Sequence, residues 1–154
     1  MKHILSIDPS INFCGYAVHT NKGALIEYDI ILSNKKLKED FVSKSRDIVG
    51  QIIQIIEKYS NIQLVLEMPQ YWGVAGYLAR ESGAIFKLTF LCGMICGLQK
   101  DIVTVVPQKW KGQMPKHVMQ NRLQKYYPKI NFKETNHNIL DAIGIGYYYI
   151  NGKV

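Results

Sequence analysis

The chain has 154 residues, 47% of them hydrophobic, and carries 19 Lys and Arg against 12 Asp and Glu for a net charge of +7. That length gives one domain that can bury a full core, which excludes a scaffold dependent on disulfide or metal staples. The basic surplus points to a polyanionic partner while leaving the fold open.

Three strand signals open the chain, at 4–8, 15–19 and 24–32, separated by the turn formers Pro9-Ser10-Ile11-Asn12 and Asn21-Lys22-Gly23. The hydrophobic period then changes. Phe41, Ile48, Ile52, Ile55 and Tyr59 fall on one stripe, predicting an amphipathic helix over 41–59. A strand follows at 63–67, then a loop over 68–76, a long helix at 77–99 and a short strand at 102–106 that Pro107 stops. A basic loop, a helix beginning near Lys116, a linker over 128–136 and a final helix over 138–150 complete the chain, which holds no repeat or low-complexity segment. A meander followed by alternating helices and strands predicts an α/β fold. Its five-stranded mixed sheet has three antiparallel strands, then two parallel ones, and helices on both faces.

Cys14, Cys92 and Cys96 are odd in number and lie in apolar runs, so they read as core residues of a protein in a reducing, cytoplasmic setting. Cys92 and Cys96 lack the His or second Cys pair that a zinc site needs. No export signal is expected at the N-terminus. The most apolar window, 84–98, contains Lys87 and falls short of the roughly 20 residues that span a bilayer, so no membrane is expected.

Three acids stand out against this frame. Asp8 ends the run His3-Ile4-Leu5-Ser6-Ile7, Glu67 ends Gln63-Leu64-Val65-Leu66, and Asp141 begins Ala142-Ile143-Gly144-Ile145-Gly146. A carboxylate at the tip of a buried strand is costly to desolvate unless it is paired or bound to a cation. In the predicted sheet Asp8 and Glu67 are neighbours, and the last helix brings Asp141 to them. That convergence reads as a metal site. Taken singly, the same residues also fit a turn Asp before Pro9, a strand-end Glu and a helix-start Asp.

The segments Leu5-Ser6-Ile7-Asp8-Pro9-Ser10 through Gly15-Tyr16-Ala17-Val18, Leu64-Val65-Leu66-Glu67, and His137-Asn138-Ile139-Leu140-Asp141-Ala142-Ile143-Gly144-Ile145 resemble, in order and spacing, the RuvC-like Holliday junction resolvases of phage type, within the RNase H-like superfamily. The first segment alone also resembles the phosphate-binding hairpin of actin-like sugar kinases, which need a second domain to close over a nucleotide. The resolvase resemblance implies an RNase H-like fold, a homodimer, and symmetric nicking of four-way or branched DNA that depends on Mg²⁺ or Mn²⁺, two ions per site. It makes Asp8 the carboxylate shared between the ions, with Glu67 and Asp141 each holding one. The family's fourth ligand, an Asp or sometimes a His, lies three residues before the last Asp, where this chain has Asn138. Asn138 or its neighbour His137 can reach the face of Asp141, because spacings of three and four share a helix face. Asn138 could equally replace an Asp, or cap the helix.

Two stretches carry the expected DNA contacts. Tyr71 and Trp72, directly after Glu67, are placed to stack on bases or to fold back onto the core. Lys109, Lys111 and Lys116 follow the last strand as a phosphate-gripping set, with Trp110 between them as a possible buried anchor. Ala79, Gly83, Ala84, Gly93 and Gly97 give the long helix a small-residue pattern. It suits packing on the sheet or, by the resemblance, subunit pairing. Two other readings stay open: a catalytically impaired junction-binding protein, and an RNase H-like nuclease acting on other nucleic acids.

Overall fold

The computed structural model describes residues 1–37, 40–70, 78 and 80–152; Tyr71, Trp72 and Ala79 lie outside them. Five strands form one sheet: β1 (His3–Asp8), β2 (Phe13–Thr20), β3 (Leu25–Leu32), β4 (Ile62–Glu67) and β5 (Val103–Val105). Their order is β3-β2-β1-β4-β5. The β1/β2 and β2/β3 pairs are antiparallel, while β1/β4 and β4/β5 are parallel, which is the expected three-plus-two pattern. The central strands β1 and β4 are nearly continuous apolar runs because helices cover both of their faces.

Helices α1 (Phe41–Glu57) and α2 (Ala84–Cys96) cover one face, packing Ile48, Ile52, Ile55, Leu91, Cys92 and Ile95 against Leu5, Ile7 and Leu64. The Asp40 side chain starts α1 by accepting from the backbone N–H groups of Val42 and Ser43, both at 3.1 Å. The opposite face is covered by α3 (Pro107–Trp110), α4 (Lys116–Tyr126) and α5 (His137–Asn151), which pack Trp110, Met119, Leu123, Leu140 and Ile143 against Ile4, Ala17 and Val65.

The long helix expected over 77–99 is divided. Gly83 takes φ 71°, a left-handed conformation that interrupts the helical hydrogen bonding, and α2 starts one residue later. Within α2 and its C-terminal cap Gly97, the residues facing the sheet are Ile85, Leu91, Cys92 and Ile95, whereas Phe86, Phe90, Gly93 and Gly97 fall on an exposed stripe. The small residues are therefore not what lets α2 approach the sheet.

Close approach is instead needed by α5. Its stretch from Leu140 to Tyr147 is buried apart from Asp141, and the Ser6 hydroxyl of β1 donates to the Ala142 carbonyl at 2.7 Å, tying the helix to the central strand. A methyl group on Gly146 would stand 2.5 Å from Nδ1 of the buried His19 and 2.7 Å from the Ser6 oxygen. One on Gly15 of β2 would collide with the backbone carbonyl of Asn138. Backbone cannot swing aside as a flexible side chain can. Gly15→Ala is expected to lower stability by about 3 kcal/mol in urea denaturation, because α5 must lift from the sheet.

Candidate metal centre

Asp8 ends β1 and Glu67 ends β4, each one residue beyond the last parallel pair, Ile7 with Leu66. Parallel strands in register deliver both carboxylates to the same edge of the sheet. Asp141 arrives from the first turns of α5, whose N-terminus lies over β2 where Gly15 pairs with Asp8. The Glu67 and Asp141 side chains are 12% and 18% exposed, so the cluster is largely withdrawn from water.

Charge at this spot is unbalanced. Burial, then Glu67 and Asp141, push the Asp8 carboxyl well above the usual carboxylate range, and Lys111 pulls it only partly back. Burial also raises Glu67, with Lys111 and the Trp110 indole opposing. The Trp110 N–H donates to Glu67 Oε2 at 2.5 Å. Trp110 is 3% exposed, and Gly144 makes room for it: a methyl there would stand 2.5 Å from the indole ring. Trp110 is thus the buried anchor, and it orients Glu67 as well. The paired signals for this were a Trp after the last strand and a Gly in the final helix, which nothing in their spacing connects.

The three lysines expected to grip phosphate divide into two groups. Lys109 and Lys116 are exposed. Lys111 turns inward, its Nζ 2.5 Å from Asp141 Oδ2, 3.9 Å from Glu67 Oε2 and 4.8 Å from the centre of the Trp110 ring. Burial works against this ammonium, but Glu67, Asp141 and Asp8 outweigh it and lift its pKa above the ordinary lysine value.

Asn138 is buried, and its side-chain amide donates to the Phe13 carbonyl at the start of β2. The helix cap is Asn136, whose side chain accepts from the Asn138 N–H at 2.9 Å, so capping is not the role of Asn138. His137 is exposed. Of the two candidate fourth groups, Asn138 is the one turned toward the sheet.

Hard carboxylate oxygens with a shortage of positive charge suit a hard divalent cation, and the ammonium already lodged there shows that the pocket takes a cation. Among the described residues, however, no three His, Cys, Asp or Glu side chains are gathered tightly enough to hold a metal ion as they stand. Lys111 stands between two of the acids.

With this geometry the class of fold is defined: it is that of the RuvC structures. A Thermus thermophilus RuvC in complex with a Holliday junction substrate superposes with a TM-score of 0.67 at 14% identity, covering 97% of this chain and 95% of that one. A second Thermus thermophilus RuvC structure gives 0.57 at 14% identity, covering 97% and 96%. No protein-family model matches the sequence, and no curated protein matches it.

The raised Asp8 pKa has a consequence for stability. Its folded value lies above the unfolded value of about 3.9, so stability is lost as pH rises from there through the folded value. Asp8→Asn in EDTA is therefore expected to be more stable than wild type at pH 7, with the gap closing near pH 4. Urea denaturation at the two pH values checks both signs.

Proposed function

We propose that this protein is a metal-dependent, structure-selective endonuclease that resolves four-way or branched DNA junctions by paired phosphodiester hydrolysis, within the RNase H-like superfamily. The observation that carries the reading is the convergence of Asp8, Glu67 and Asp141 at one edge of the sheet, in a fold shared with a RuvC bound to a Holliday junction substrate. The basic surplus of +7 favours a nucleic-acid partner. The three free cysteines suit a reducing cytoplasm, that of the host if the protein is phage-encoded. Among the described residues no helix is long and apolar enough to cross a membrane.

Asp8, Glu67 and Asp141, with the side-chain oxygen of Asn138 as an uncharged fourth group, would hold Mg²⁺ or Mn²⁺, two ions in the full site. Bound there, the ions supply charge to activate water and to stabilise the leaving 3′-oxygen. The chain's own part is positional. Trp110 fixes one oxygen of Glu67, α5 presents Asp141, and Lys109 and Lys116 lie on the surface beyond β5, where they would take backbone phosphates. Tyr71 and Trp72 remain proposed stacking residues that lie outside the described positions.

A symmetric substrate calls for two sites, and we assign the dimer contact to α2. Its exposed stripe of Phe86, Phe90, Gly93 and Gly97 pairs apolar bulk, 67% and 41% exposed at the two phenylalanines, with small residues that permit close approach.

A second reading is a junction-binding protein with impaired catalysis. It is favoured by Asn138, which brings no charge and already spends its amide on Phe13.

Wild type with Mg²⁺ or Mn²⁺ should cut an immobile four-way junction at paired sites, and Asp8→Asn should lose cleavage while binding the junction at least as tightly. Tight binding by wild type without nicking in either metal would favour the impaired reading. Lys109→Ala with Lys116→Ala should weaken junction binding and reduce the slope of log affinity against log salt by about 0.9 for each phosphate that is no longer neutralised. Electrophoretic titrations across a salt series measure it, and an unchanged slope removes these lysines from the interface.

A further inference from the structure

We infer that the Lys111 ammonium is a resident counter-ion holding a cation's place between Glu67 and Asp141, and that it is expelled when a divalent ion loads the cluster. This rests on the metal reading of the three acids given above.

The geometry is specific to Lys111. Its ammonium touches Asp141 at 2.5 Å and lies 3.9 Å from Glu67, while Lys109 and Lys116, on either side of it in sequence, stay exposed. Lys111 follows α3 directly, and Gly112 with φ 54° then turns the chain away, so the lysine sits at a bend aimed at the acids. Its ammonium is also 4.8 Å from the centre of the indole ring whose N–H holds Glu67, so one dipeptide, Trp110-Lys111, orients one carboxylate and neutralises another.

An ammonium and a divalent ion compete for the same oxygens. With Lys111 in place, the acids are not drawn together around a single point, in keeping with the absence of a coordinating triad among the described residues. A single positive charge also leaves three carboxylates under-neutralised. Replacing +1 by +2 improves the balance, and the displaced lysine, tethered beside the cluster, becomes available to a phosphate arriving there. Metal and DNA would then bind cooperatively, each favouring the state in which Lys111 has left the acids.

The wild-type protein gives the direct test. Brief acylation of lysine amines, read residue by residue by mass spectrometry, should label Lys111 much more slowly than Lys109 or Lys116 in EDTA. Saturating Mn²⁺ should raise the Lys111 rate about tenfold and leave the other two unchanged. In parallel, Lys111→Met should bind Mn²⁺ about tenfold more tightly than wild type in the absence of DNA, as followed by the loss of the free-ion electron paramagnetic resonance signal. If that variant fails to fold, the labelling experiment decides alone. Asp8→Asn separates the two readings. If it binds Mn²⁺ as wild type does, the metal is not in this cluster and the counter-ion inference falls with the metal reading. If Asp8→Asn loses Mn²⁺ while Lys111 labelling in wild type stays flat, the metal reading stands and the counter-ion inference is overturned.

Discussion

How closely the last helix can lie on the first two strands governs the acidic end of this molecule. Gly15 on β2 leaves space for the Asn138 backbone, Gly146 on α5 leaves space for His19 and Ser6, and the Ser6 hydroxyl holds the helix by the Ala142 carbonyl. Packed interiors do not deform gradually, so a methyl at Gly15, which would meet backbone, moves the helix, and one at Gly146 displaces either the helix or the buried His19 and Ser6 side chains. Asp141 rides on that helix. Its distance from Asp8 and Glu67, which are fixed by the parallel pairing of β1 and β4, is thus set by contacts that contain no acid.

The same closeness creates the electrostatic problem that the site then has to accommodate. Burial raises the carboxyls at the ends of both strands, and Asp8, with Glu67 and Asp141 beside it, is raised well above its usual value. Structural convenience does not account for such a cluster, since apolar residues of similar size would pack there at less cost. Gly144 admits the indole, the indole N–H takes Glu67, and the next residue supplies the ammonium. The polar support of the acids is therefore built from the same helix-to-sheet packing that brings them together.

Which of these features the sequence reveals follows from how local their causes are. Asp8 and Glu67 were legible because each ends a short apolar run, and the switch from period 2 to period 3.6 predicted a parallel pair that places them side by side. The five-stranded order followed from the same pattern. The break at Gly83 was less legible, since a glycine inside an apolar helical pattern is ordinarily tolerated and only its left-handed φ marks the interruption. The inward turn of Lys111 was hidden for a different reason. Three lysines in a loop share the same local sequence character, and what selects one of them is the position of acids contributed by β4 and α5, far away in the chain. The burial of Trp110 likewise depends on the absence of a side chain at Gly144.

At position 138 an uncharged amide fits its surroundings better than a carboxylate would. Its amide donates to the Phe13 carbonyl, a contact that an aspartate could make only when protonated; ionised, it would set negative charge against the carbonyl oxygen. A fourth carboxylate would also join three that a single ammonium already fails to balance. Asparagine adds a hydrogen bond between α5 and β2 and no charge. Asparagine therefore spares the acidic cluster a further charge and helps to seat the helix that carries Asp141.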